Sequence, residues 1–243
     1  MQTADHLVRR VRHELKLREL TVARIERLGD GFAAVTFTGE ALADFTSLSF
    51  DDHVKFMFPD ADAGNGQVRR DYTPRRFSRE ALELTIEFAL HGDGKASSWA
   101  RNAVVGQRAV VGGPKGSMIV PLELDWHLLA GDATALPAIA RRLEELPAGS
   151  RAIVFVHAEP ADRRVFEGQA DVDLRWFDTP EALVADLQAL ALPPGRGFAW
   201  GGGEASMMAR VRRVLNEKGV PREATRVSAY WKQGVAEHHE NLE

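Results

Sequence analysis

The sequence predicts a β + α/β fold: an N-terminal antiparallel β-barrel over residues 1–124, then a doubly wound, mostly parallel sheet over residues 125–243. Three observations predict it. Up to about residue 124 the apolar residues recur with period two, in short runs divided by Gly- and Asp-containing breaks. After Asp125 the rhythm becomes apolar run, amphipathic helix, apolar run, several times over. Small and glycine residues stand where two of those later runs meet a helix, at "AGDATALPAI" (130–139) and "WGGGEAS" (200–206).

In the first half, "LELTIEFAL" sets Leu82, Leu84, Ile86 and Phe88 against Glu83, Thr85 and Glu87, and "HVKFMF" sets Val54, Phe56 and Phe58 against Lys55 and Met57. Such alternation buries one face of a strand and wets the other. "LGDGF" and "PDADAGNGQ" separate runs of this kind at short intervals, as a small barrel or sandwich requires. The basic opening "HLVRRVRHELKLR" reads as an amphipathic lead-in to the first strand, and the boundary between the halves falls at "PLELDW", 121–126.

In the second half "WHLLAG" is a short strand, and "TALPAIARRLEEL" is a helix with Leu136, Ile139, Ala140 and Leu143 on one face. "RAIVFVH" is the next buried strand. "VDLRWF" and "TPEALVADLQAL" repeat the unit, with Thr179 as N-cap and Pro180 at the first helical position. "GFAWGGG" leads into "EASMMARVRRVLNEKG", where Met207, Val211, Val214 and Leu215 share a face and Gly219 is the stop. "TRVSAYW" is expected to close the series. Ligands of such a sheet bind beyond the carboxyl ends of its strands.

Composition narrows the chemistry. With 243 residues, 44% hydrophobic and 27% charged, the chain can bury a sizeable core. A net charge of −4 and a pI near 6.1 offer nucleic acid no overall attraction, so any anion site must be local. No stretch approaches the roughly 20 apolar residues of a membrane span, and the N-terminus lacks a signal peptide's apolar run. A cytoplasmic protein without nucleic-acid or membrane partners is expected. There is no cysteine, which removes disulfides, Cys–zinc sites, thiol redox chemistry and Cys-ligated iron–sulfur clusters. Electrons, if the protein moves them, need an organic cofactor. His53, His91 and His157 lack metal-ligand spacing, and neither a Ser-His-Asp order nor paired carboxylates favour hydrolysis.

"RRDYTPRRF" (69–77) gathers four arginines around Tyr72, Thr73 and Pro74. Arginine forks match phosphate oxygens and an aromatic face suits a flat ring, whereas a solvated edge strand would have the same composition. "HGDGKASSWA" (91–100) reads as the start of a short helix whose Ser97, Ser98, Lys95 and backbone amides can hold a phosphate, or equally as a serine-capped loop. "GGPKGSM" (112–118) alone reads as a turn. At 130–139 the small residues Gly131, Ala133 and Thr134 let backbone approach a ligand at a helix start, without the G-x-G-x-x-G fingerprint. At 200–206 three glycines repeat that geometry, with Glu204 near the helix N-terminus. Two such turns in one sheet favour a dinucleotide cleft.

Taken in order, "RDYTPR", "HGDGKASSWA", "GGPKGS", "AGDATALPAIARRLE", "WGGGE" and "AYWKQG" resemble the siderophore-interacting protein family, the flavin-dependent ferric-siderophore reductases of the ferredoxin-reductase-like superfamily. The resemblance spans nearly the whole chain. It implies an FAD-binding barrel at 1–124, an NAD(P)H-binding domain at 125–243, and a cytoplasmic enzyme that reduces Fe(III) in an anionic siderophore to Fe(II) and so releases it. By similarity, Arg70, Tyr72, Thr73 and Arg75 form the flavin motif: Tyr72 against the flavin, Thr73 at its reactive edge, an arginine on the pyrophosphate. His91, Gly92, Ala96 and Ser97 continue the FAD cradle. Gly131, Asp132, Thr134 and Pro137 match the nucleotide loop, Gly203 and Glu204 the motif facing the nicotinamide end, and Trp231 the terminal aromatic motif. Two positions depart from the family pattern: Lys95 replaces a proline and Ala229 a glycine.

The implied chemistry is a relay from NAD(P)H through FAD to the ferric chelate, with no side chain acting as acid, base or nucleophile. Ferredoxin is an alternative electron donor that some relatives would use. Lys55, Arg76, Lys115 and Lys232, with Arg69 beside them, are the candidate cations for an anionic chelate, against a reading of dispersed solubilising charge. In "HAEPADRR", Glu159 suits a ribose hydroxyl and NADH, while Arg163 and Arg164 suit a 2′-phosphate and NADPH, which the reading favours. A general NAD(P)H:flavin reductase and a non-catalytic flavin- or siderophore-binding protein are the competing functions.

Overall fold

Alternating side chains curl the first half around a single apolar interior. The computed structural model describes residues 7–60, 66–90, 94–234 and 240–242. The chain divides into two units, Arg10–Met118, and Ile119–Glu243 together with Met1–Arg9.

The first unit contains β1 (Arg9–Arg12), β2 (Leu17–Leu28), β3 (Phe32–Thr38), β4 (Val54–Pro59), β5 (Gln67–Tyr72), β6 (Arg76–Ser78), β7 (Glu83–Ala89), α1 (Lys95–Arg101), β8 (Arg108–Gly112) and β9 (Gly116–Ile119). Seven strands form an antiparallel sheet in the order β5-β4-β8-β2-β3-β7-β6. Its inward face carries Val35, Phe37, Val54, Phe56, Phe58, Leu84, Ile86 and Phe88, with Trp99 of α1 packed among them. The rings of Tyr72 on β5 and Phe88 on β7 lie 4.4 Å apart, so the two ends of the sheet approach and it curls into a barrel. Two residues assigned to the wet face are buried instead: Met57, which packs close to Gly112, and Glu87, whose partner is Arg75. The N-terminal lead-in is itself partly extended, β1 pairing with β9 in a small separate sheet.

The second unit contains β10 (Trp126–Asp132), α2 (Leu136–Glu145), β11 (Arg151–His157), β12 (Asp171–Phe177), α3 (Pro180–Ala189), β13 (Gly197–Glu204), α4 (Ala205–Glu217), β14 (Thr225–Trp231) and β15 (Glu240–Leu242). The sheet order is β12-β11-β10-β13-β14-β15. The first five strands run parallel, and β15 adds an antiparallel edge that the sequence rhythm did not announce. Leu128, Ala130, Ile153, Phe155 and Ala199 face α3 and α4 with Met207, Met208, Val211 and Leu215. Leu129, Val154, Phe198 and Trp200 alternate onto the opposite side and are also buried, which is why these strands read as continuous apolar runs.

The helix signals match the structure at their ends. The Thr179 hydroxyl accepts from the Ala182 amide at 3.2 Å, and Gly219 adopts φ 74 after α4. Helix α2 also buries Arg141 and Arg142, which its apolar face did not predict. Arg142 donates to the Pro121 carbonyl at 2.7 Å and lies 3.3 Å from His127 Nδ1. Burial, with Arg142 beside it, lowers the His127 pKa to about 4.

Candidate functional site

Strand β5 sorts the arginine-rich motif by face. In the β4–β5 ladder Val54 registers with Tyr72 and Phe56 with Arg70, so Arg70 and Tyr72 share the inward face with the barrel core. Tyr72 is half-buried, its ring 4.4 Å from Phe88 and 6.0 Å from Phe56. Burial pushes the Tyr72 phenol far above its ordinary pKa, and the nearby Arg70 charge pulls it back only in part. Arg70 is also half-buried and donates to the Arg69 carbonyl at 2.8 Å. The Thr73 hydroxyl is half-buried and makes no hydrogen bond among the described residues.

The other arginine of the motif goes elsewhere. Arg75 is only 7% exposed, and its Nε lies 3.1 Å from Oε1 of the equally buried Glu87. Thus the structure separates Arg70, which shares a face with Tyr72, from Arg75, which neutralises a buried carboxylate. Lys55 is also set apart: it registers with Asp71 on the outward face of the ladder and pairs with it at 2.6 Å. Arg76 and Lys115 are exposed on this same unit, and Lys232 is exposed on the other. Arg69 is exposed beside Gln67. Lys115 and Lys232 form no ion pair among the described residues.

Gly94 is the N-cap of α1 and has no side chain to offer its first turn; the Ser97 hydroxyl donates to the Gly94 carbonyl at 2.8 Å. Ala96 and Ser97 are buried in that turn, while Gly94 and Lys95 are exposed. Lys95, the departure from proline, reaches Asp60 at 2.9 Å. His91 and Gly92 lie outside the described residues.

In the second unit the two glycine-containing junctions meet at the carboxyl edge of adjacent strands, Gly131 registering with Gly202. Gly201–Gly203 belong to β13 itself rather than to a turn after it. A Cβ on Gly131 would collide with the Gly202 carbonyl and Ala135, and one on Gly202 would meet the Tyr230 ring at 2.9 Å. Absence of side chains therefore lets β10, β13 and the start of the next helix close on one another.

Asp132 is the hub of this edge. Its Oδ1 accepts from the Thr134 amide at 2.9 Å and the Thr134 hydroxyl at 2.5 Å, and its Oδ2 accepts from the Glu204 amide at 2.7 Å and Trp231 Nε1 at 2.9 Å. Burial pushes the carboxyl above the usual carboxylate range, and the four donated hydrogen bonds pull against it. Glu204 caps α4 by accepting from the Ser206 hydroxyl and from the amides of Ser206 and Met207. Burial alone would raise the Glu204 pKa, but these donors with the Gln233 amide hold it below its ordinary value. Pro137 is buried in the first turn of α2. Ala229, the second departure, is fully buried in β14 opposite Gly203.

Sequence reasoning missed one polar cluster in the first unit. Ser117 donates to Asp52 at 2.6 Å and lies 2.8 Å from His13 Nε2, and Asp52 also accepts from the Ser47 hydroxyl at 2.8 Å. Histidine, serine and aspartate do meet, but the serine proton points to the carboxylate rather than to the imidazole. That is the reverse of an activated nucleophile. The residues are far apart in sequence and carried no local signal.

A curled antiparallel sheet with an aromatic–arginine pair at one end, followed by a parallel sheet whose glycines converge at its carboxyl edge, is a ferredoxin-reductase-like fold. Residues 124–234 match the siderophore-interacting protein family, and residues 21–68 and 62–118 match the siderophore-interacting FAD-binding domain. The chain is 33% identical to the NADPH-dependent ferric-chelate reductase of Escherichia coli K12, over 95% of this chain and 99% of that one. It is 29% identical to the ferric vibriobactin reductase ViuB of Vibrio cholerae, over 92% and 93%. A siderophore utilization protein from T. fusca superposes with a TM-score of 0.88 at 33% identity, covering 94% of this chain and 97% of that one. This chain belongs to the siderophore-interacting protein family.

Proposed function

We propose that this protein is an FAD-dependent NAD(P)H ferric-siderophore reductase of the cytoplasm, with its flavin held by residues 1–124 and its nicotinamide nucleotide by residues 125–243. The observation that carries the reading is the pairing of Arg70 and Tyr72 on the inward face of β5, beside a barrel interior of aromatic side chains.

The residues fit such a cofactor. Tyr72 offers a half-exposed aromatic face braced by Phe56 and Phe88, so a flat ring meets a surface that is already fixed. Arg70 brings a guanidinium to the same face, where it can fork onto phosphate oxygens. Thr73 keeps a hydroxyl available to a ring heteroatom. FAD, when bound, supplies the chemistry that takes a hydride from NAD(P)H and passes electrons singly to Fe(III).

The protein's own residues bind and orient. Gly131, Gly202 and Gly203 let backbone stand close to the carboxyl edge of the parallel sheet, and Thr134 and Glu204 hold the two loops there. Lys115, Lys232 and Arg76 give exposed positive charge for an anionic chelate, whereas Lys55 lies on the opposite face of the ladder from Tyr72 and is held by Asp71. Ferrous iron, with less charge, is held more weakly by hard oxygen ligands than ferric iron, so reduction frees it.

An anaerobic visible spectrum tests the reading. Addition of NADPH to the flavin-loaded protein should bleach the flavin band, and a ferric siderophore with a ferrous trap should restore the band as trapped Fe(II) appears. A protein that takes up no FAD loses the cofactor assignment. A bleached band indifferent to the chelate, but restored by quinones, would make it a general flavin reductase.

A further inference from the structure

We infer that Asp132 is a positioning residue: its buried carboxylate fixes the exposed indole of Trp231 as a preset plate for a flat cofactor ring. All four hydrogen bonds that its two oxygens accept come from the protein, two per oxygen. They come from three segments: the Thr134 turn after β10, the Glu204 amide at the end of β13, and the Trp231 indole at the end of β14. The carboxylate therefore reaches a nucleotide only through the groups it holds.

Two further features aim the indole. The register between β13 and β14 slips by one residue there, Gly203 facing Ala229 but Glu204 facing Trp231, so Tyr230 is the extra residue of a bulge. Bulges re-aim side chains at the ends of strands. Gly203 adopts φ 153, and a Cβ on it would stand 2.7 Å from Asp132 Oδ2, so only glycine leaves the carboxylate room for its outward bond. The result is a large aromatic side chain, 41% exposed, whose single polar atom is tied to a buried anchor. An untethered surface tryptophan would sample several rotamers and lose entropy on stacking, and the tether removes that cost in advance.

The identity of the ring, nicotinamide or flavin, rests on the function proposed above; the tether does not. Asp132→Asn keeps the shape but removes the charge that strengthens all four bonds, and its NH2 group opposes the Glu204 amide and the indole in one orientation and the Thr134 amide in the other. The test uses four full-length proteins: wild type, Asp132→Asn, Trp231→Phe and the double variant. In flavin-free protein, the emission that Trp231→Phe removes should become more readily quenched by acrylamide once Asp132 is asparagine. In flavin-loaded protein, the limiting rate of flavin bleaching by NADPH should fall about tenfold, the scale of a modest misorientation, with little change in the NADPH concentration at half-maximal rate. In the Trp231→Phe background the asparagine should cost almost nothing more, because residues acting through one contact are not additive.

Unchanged quenching, or a rate loss that persists undiminished without Trp231, would overturn the inference. If Asp132→Asn does not fold, replacing Trp231 by 3-benzothienylalanine removes the N–H and keeps the plate. Looser, slower protein then supports the tether, and behaviour like wild type rejects it. Absence of flavin bleaching in the wild type would sink the functional reading and the ring's identity, while the quenching comparison still decides the tether.

Discussion

Arg75→Ala removes the cation beside Glu87 without removing the carboxylate. Both side chains are nearly inaccessible, at 7% and 6%, and Nε lies 3.1 Å from Oε1, so solvent screens the pair little. Stripping one partner from a buried pair of this kind costs about 3–5 kcal/mol, because the carboxylate keeps its desolvation cost and loses the cation that offsets it. At roughly 2–4 °C per kcal/mol for a chain of this size, thermal unfolding followed by circular dichroism should shift downward by about 6–20 °C. A joint Arg75→Met, Glu87→Leu replacement fills the same space without charge and should recover most of that loss. Flavin affinity, titrated in parallel at a temperature where both proteins are folded, should change far less than it does for Arg70→Ala. If Arg75→Ala melts like wild type yet binds FAD as poorly as Arg70→Ala, the buried-pair assignment is wrong and Arg75 serves the cofactor directly.

Gly203→Ala should destabilise by about 2–5 kcal/mol, combining backbone strain at φ 153 with a clash against an immobilised carboxylate, measurable as a lower urea midpoint. His127, neutral when folded with a pKa near 4 against an ordinary 6.5, makes the unfolded chain the stronger proton binder between those values. Stability should therefore fall as pH drops from 6.5 to 4, by roughly 3 kcal/mol from this residue, and a His127→Gln variant should lose that part of the slope in pH-dependent urea unfolding. Lys115→Ala and Lys232→Ala should each raise KM for an anionic ferric chelate by roughly two- to fivefold at low salt, an exposed-charge effect. Lys55→Ala should leave KM unchanged, and an increase equal to theirs would return Lys55 to the docking surface.

Period-two alternation and strand–helix rhythm made most elements legible because burial of one face is a local, repeated signal. What escaped was long-range or charged. Glu87 sits where alternation demands a wet residue, and its burial beside Arg75 leaves no periodic signal. Arg141 and Arg142 are buried on a helix whose apolar stripe was read correctly, because the groups that receive Arg142 lie about 20 residues earlier in the chain. Strand β15 is three residues long and has no period to detect. Asp132 looked like part of a nucleotide loop from its neighbours, but its role as a hub depends on Glu204 and Trp231, 72 and 99 residues away. The second group of glycines was recognised as a close-approach device but placed in a turn, since glycines inside a central strand contradict ordinary strand composition.

Strand β12 ends the parallel sheet, so the outer row of its amides and carbonyls faces outward and could template another copy of the chain. Asp171, Asp173 and Arg175 alternate along it, and Arg175 is clamped between Asp173 at 2.7 Å and Asp186 of α3 at 2.8 Å. A second strand approaching that edge would have to desolvate two carboxylates and a guanidinium already engaged with them. Three charges far in sequence from the flavin motif, Asp173, Arg175 and Asp186, thus oppose the addition of a further strand at this edge.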